Sequence, residues 1–119
     1  MREMKVRVWD DVLKEMLYSR VEQFDDMLGF RFEKHLETEN PIYMWSTGLH
    51  DRNGREIYEG DIISTDLDRP FNIVVFRNGA FLFQCHDNGK DYYDYMFSYG
   101  EVIGNIYENP ELLKGDENA

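Results

Sequence analysis

The stretch TGLHDRNGREIYEGD, Thr47–Asp61, decides how this chain is read. Thr47 to Glu59 reads as a loop or short hairpin turned at Asn53-Gly54. Asn-Gly suits a type I′ turn, whose two central residues must both accept positive φ. After Gly60-Asp61 the texture changes. Ile62–Thr65, Phe71–Arg77, Ala80–His86 and Val102–Tyr107 are short apolar runs with tight connections. Asn78-Gly79 sits between two of them, the strongest short-range hairpin signal in the chain. Asn88-Gly89 marks a third Asn-Gly turn. KDYYDYMFSY, Lys90–Tyr99, is aromatic without simple alternation and reads as an irregular strand or a short helix. A second phrase, VIGNIYENPELL, Val102–Leu113, ends in a helical turn: Asn109 can cap it and Pro110 suits its first position. The tail GDENA is expected to fray.

Upstream, Met4–Trp9 alternates as a half-buried strand, with Met4, Val6 and Val8 facing one way and Lys5, Arg7 and Trp9 the other. The next stretch is ambiguous from its residues alone. Val12, Leu13, Met16, Leu17, Val21, Phe24 and Leu28 lie at helical spacing, and Gly29 could close a helix. Gly29–Leu36 and Ile42–Ser46 look like strands separated by the polar break ETENP.

The two phrases, taken with the opening MREMKVRVWD, resemble the YopX family of small phage- and prophage-encoded proteins. The resemblance covers the beginning, centre and end of the chain, but not residues 20 to 45 or 86 to 99. It implies a mainly β fold: a strand-rich N-terminal part with one short helix, then a small SH3-like barrel. It also implies a polar turn after Trp9-Asp10 and a second strand beginning near Met16. The expected order is therefore a hairpin over residues 4 to 20, a helix from about Val21 to Leu28, and domains at 1–59 and 60–119. The family carries no assigned activity, so the resemblance implies no catalytic residue and no cofactor.

Charge narrows the function. The net charge is −11. Residues 1 to 60 hold nine basic and thirteen acidic side chains (−4), and residues 61 to 119 hold four and eleven (−7). Phosphate contacts dominate nucleic-acid affinity and need clustered cations, so nucleic acid is an unfavoured partner. An acidic chain can instead mimic nucleic acid toward a basic protein. No apolar run approaches the roughly 18 residues of a membrane span. The N-terminus does not read as a signal peptide. With a single cysteine, no internal disulfide is expected. These features fit a soluble protein of the host-cell cytoplasm.

Each candidate chemistry has a plainer reading beside it. Cys85-His86, with His50 and His35, could form a thiol–imidazole pair or part of a zinc site. Yet adjacent strand residues face opposite ways, and Cys85 shares the face of Phe81 and Phe83, as a buried small hydrophobe would. Asp51, Asn53, Glu56, Glu59 and Asp61 could suggest calcium. Their spacing is not that of an EF-hand, and turn chemistry accounts for them. Gly54 and Gly60 are isolated and make no phosphate loop. The aromatics Tyr92, Tyr93, Tyr95, Phe97 and Tyr99 are either core or an interaction surface. Asp91 and Asp94 among them speak against base stacking. The expected activity is non-enzymatic: binding of another protein, or of a second copy, through Trp45, Tyr92, Tyr93, Tyr95 and Tyr99.

Overall fold

The computed structural model describes residues 5–24, 27–32, 34–65, 72–87, 90–96 and 100–113. The chain is mainly β, with two curled antiparallel sheets and almost no helix. It divides into two compact units, Met1–Ser46 and Thr47–Ala119.

In the first unit, β1 (Lys5–Asp10) and β2 (Glu15–Phe24) form the expected hairpin, running from Lys5 opposite Arg20 to Asp10 opposite Glu15. The strand β3 (Met27–Phe30) pairs with the end of β2. On the other side of β1 lies β4 (Ile42–His50), with Val6 opposite Trp45 and Trp9 opposite Ile42. The helix expected over Val21–Leu28 is absent. Those residues pair instead, Val21 with Phe30 and Phe24 with Met27. An eight-residue helix makes few internal hydrogen bonds for its nucleation cost, and a hairpin on an existing sheet does better. The strand expected over Gly29–Leu36 stops at Phe30.

From Arg31 onward the chain crosses one face of this sheet. Ser19, Leu17 and Glu15 share that face with Val6, Val8 and Asp10, because residues directly opposite in a ladder do. The Arg31 amide donates to Ser19 Oγ at 2.9 Å, and the Ser19 hydroxyl donates to the Arg31 carbonyl. Lys34 Nζ pairs with Glu15 at 2.9 Å. The amides of Glu37 and Thr38 donate to Asp10 Oδ2 at 2.7 and 3.3 Å. Asp10 Oδ1 accepts from Val12 and Leu13, both at 3.0 Å, and so also shapes the β1–β2 turn. Phe32 closes on Tyr43, with ring centroids 6.3 Å apart. Val6 and Val8, on the same face, are fully buried. The alternation of β1 is as expected, but the strand is not half-buried. Arg7 and Trp9 on its other face are also buried, 1% and 8% exposed.

The second unit begins with the end of β4 and its neighbour β5 (Glu56–Tyr58). It continues with β6 (Asp61–Ser64), β7 (Asn72–Arg77), β8 (Ala80–Asp87), β9 (Lys90–Tyr95) and β10 (Glu101–Asn105). The order β10-β6-β7-β8-β9 is a meander whose last strand returns beside its first, as in a small curled barrel. The change of texture at Gly60 marks the start of this meander. The contacts divide the chain earlier, at Ser46/Thr47, because the β4–β5 turn is tied to β10.

Asn78-Gly79 forms the expected two-residue turn, with Arg77 opposite Ala80 and φ values of 50° and 82°. Asn53-Gly54 does not. Only Gly54 is left-handed there, and the loop is organised by Asp51. The third Asn-Gly pair, residues 88–89, lies outside the described residues, as do Met4 and the tail from residue 114. The core of the meander is Ile57, Ile63, Val74, Phe83, Cys85 and Val102, with Phe81 and Met96 packed against it. A 3-10 turn at Pro110–Leu113 follows, in which the Asn109 carbonyl accepts from the Leu112 amide.

Candidate functional site

The ladder registers sort the aromatic segment. In β7–β8–β9, the inner face carries Asn72, Cys85 and Tyr92 in one row and Val74, Phe83 and Asp94 in the next. The outer face carries Ile73, Gln84 and Tyr93, then Val75, Leu82 and Tyr95. Ile73, Val75 and Leu82 are half-buried, Tyr93 is 42% exposed and Tyr95 is 83% exposed. The Arg77 guanidinium lies over the Tyr93 ring, 4.2 Å from its centroid, and donates to its hydroxyl. Tyr93 is thereby oriented by a cation–π contact, while Tyr95 presents its ring to solvent.

Of the surface residues expected from sequence, Tyr92, Tyr93 and Tyr95 are thus gathered on one strand, Tyr92 on the face opposite the other two. Tyr99 and Phe97 lie outside the described residues. Trp45 is on β4 in the first unit, 38% exposed. Sequence reading missed the outer-face partners Ile73, Val75, Leu82 and Arg77. Their signal was the alternation of NIVVFR and AFLFQC, legible only once the Asn78-Gly79 turn sets the register.

The two phrases of the sequence meet each other. Asp51 is 6% exposed; its Oδ1 accepts from Asn53 and Arg55 at 2.9 and 2.8 Å, and its Oδ2 from Val102 at 2.9 Å. Burial alone would raise its pKa. The amides of Val102, Arg55 and Asn53, with the Arg55 charge, outweigh it and lower the pKa. The Arg52 amide donates to the Gly100 carbonyl, the Ile106 amide to that of Gly60, and Asn53 Nδ2 to Glu101. Asp61 Oδ2 accepts from Tyr58 at 2.8 Å. Asn105 Oδ1 accepts from Tyr107 and Glu108 at 3.0 and 2.8 Å. The register of β10 shifts between Val102 and Gly104, leaving Ile103 as a bulge. A Cβ on Gly104 would stand 2.6 Å from Asn109 Oδ1, which accepts from the Asn105 amide. The acidic and polar residues of the central phrase are therefore turn-builders, two of their carboxylates aimed at backbone amides.

Cys85 is fully buried on the face of Phe83, its Sγ 3.1 Å from Asn72 Oδ1. His35 is exposed, and His50 faces Glu56 at 3.7 Å. The His86 side chain lies outside the described ones. Among the described residues, no three His, Cys, Asp or Glu side chains are grouped as a metal cage. Also among them, no helix is long and apolar enough to cross a membrane.

The sheet order, the return of β10 to β6 and the Asp51 lock define a class of small mainly β proteins. The family model described as YopX protein matches residues 5–114. This chain belongs to the YopX family. It is similar in structure to EF1440, a protein of Enterococcus faecalis solved by crystallography: 25% identity, TM-score 0.58, with 92% of this chain and 97% of that one covered. No curated protein matches the chain.

Proposed function

We propose that this YopX-family protein is a non-enzymatic, phage- or prophage-encoded accessory protein that works in the host cytoplasm by binding another protein. The observation that carries the reading is the outer face of β7–β8–β9. Tyr95, 83% exposed, and Tyr93 stand there beside three half-buried aliphatic side chains. Tyrosines combine an apolar body with a polar tip and anchor many interfaces. The charge of −11 supports protein over nucleic acid as partner.

The test is capture from phage-infected or induced cells, followed by mass spectrometry. Tyr95→Ala should leave the fold intact and weaken association by about 1–2 kcal/mol or more. Undiminished capture by a folded Tyr95→Ala chain would remove the support for this surface. Submicromolar binding to single- or double-stranded nucleic acid at physiological salt would replace the reading with a nucleic-acid module.

A further inference from the structure

Among the described residues, strand β9 ends its sheet, with β8 as its neighbour in the strand order. Five of its six residues are exposed, on both faces, Asp94 being the exception. An end strand presents a row of backbone donors and acceptors that can template another strand. The side chains on that strand decide what it accepts.

We propose that β9 pairs antiparallel with β9 of a second copy of this chain, about a two-fold axis through Tyr92. The inference rests on the protein-binding reading above and names one partner for it. The register follows from two constraints. Directly opposed residues must share a face, so the axis passes through a residue rather than between two. Like charges must not oppose each other. An axis through Asp91 or Asp94 sets each carboxylate against its own copy. An axis through Tyr93 sets Asp91 against Tyr95 and Tyr92 against Asp94, with no ion pair. An axis through Tyr92 sets Lys90 opposite Asp94 of the second copy, twice by symmetry. It also sets Asp91 opposite Tyr93 and Tyr92 opposite itself. This register is the one that matches charge at both ends of the strand. A two-fold contact of this kind is self-complementary and closes at two copies.

The mass is read by sedimentation equilibrium across a concentration series, at physiological salt to screen the repulsion between two chains of charge −11. Lys90→Asp and Asp94→Lys each replace two attractions with two repulsions. Each should weaken the dimer about tenfold or more, and the double exchange should restore it. A foreign partner strand would not be rescued by that exchange. A second readout fixes the axis. In a Cys85→Ala background, needed because Cys85 faces Tyr92 across β8–β9, Tyr92→Cys should cross-link two copies on oxidation. Tyr93→Cys should not. Apart from Cys85→Ala, which removes a buried side chain of β8, all the substitutions lie on the end strand, and circular dichroism checks the fold of each variant.

A chain that stays monomeric up to about 1 mM overturns the inference. So does a dimer that ignores both charge reversals, or one cross-linked better through residue 93 than 92. These outcomes leave the protein-binding reading standing if Tyr95 still governs capture of another protein. Loss of Tyr95-dependent capture with an intact charge-swappable dimer has the reverse meaning.

Discussion

Replacing Asp51 by Ala tests whether the central loop and β10 are held by one carboxylate. The substitution removes three acceptor bonds, at 2.8 to 2.9 Å, and leaves three amides to find other partners. The Asn53 and Arg55 amides sit in a partly exposed loop and can be rehydrated, so each contributes about 0.5–1 kcal/mol. The Val102 amide is buried beneath the loop, and losing a charged acceptor there costs about 1.5–3 kcal/mol. The sum is roughly 2.5–5 kcal/mol, a large part of the 5–15 kcal/mol that holds a domain of this kind together. Asp51→Asn should cost less, because its remaining oxygen can still serve the loop amides while its NH2 group cannot accept from Val102. Urea unfolding followed by far-UV circular dichroism measures both variants. The midpoint should fall with the slope unchanged, and Tm should drop by about 10 °C or more for Asp51→Ala. A loss below about 1 kcal/mol for Asp51→Ala would refute the lock. Equal losses for Ala and Asn would show that the Val102 bond carries nearly all of it.

Three further outcomes are expected. Asp10 and Asp51 both have lowered pKa values in the fold: burial alone would raise them, but backbone amides more than compensate. Their stabilisation is therefore present above the unfolded carboxylate value of about 3.9 and is lost as pH falls below it. A pH titration of stability should show a steep fall there that is reduced in Asp51→Asn. Gly104→Ala should destabilise by about 1–3 kcal/mol, because its methyl must displace Asn109 from the Asn105 amide; Asn109→Ala made together with it should recover part of the loss, measured by thermal melts. Cys85 should react with a thiol reagent only as fast as the sheet opens, and rapid labelling of the native chain would contradict its burial among Phe83, Val74 and Ile63.

The fold was legible where the signal was local. Asn78-Gly79 specifies a turn by the angles its two residues tolerate, and everything from Asn72 to Asp87 follows from that turn by parity. Parity likewise places Cys85 on the face of Phe83. The N-terminal unit was less legible because its decisive contacts are not local. Val21, Phe24 and Leu28 fit a helix by spacing, and pairing with β3 overrides that spacing. Arg7 looks like a solvent-facing residue in an alternating strand, yet it is 1% exposed. Asp10 reads as a turn residue after Trp9. Its second role, receiving amides twenty-seven and twenty-eight residues away, leaves no mark in the sequence around it.

The same distinction separates what family membership explains from what it leaves to this chain. The phrases that carry the resemblance converge on Asp51, Gly60, Val102 and Asn105, and there they join the β4–β5 loop to β10. They are residues of construction. A carboxylate that accepts three amides has little capacity left to bind a ligand, and an Asn that closes a turn is committed in the same way. The tyrosines of β9 lie outside those phrases, and the ladder fixes where they stand without their rings being needed to fill the core. Tyr95 at 83% exposure adds almost nothing to folding. The ring is therefore available to the protein-binding reading proposed above. On the proposed reading, the place to alter binding without altering the fold is the segment Lys90–Tyr95, and the place to alter the fold is Asp51.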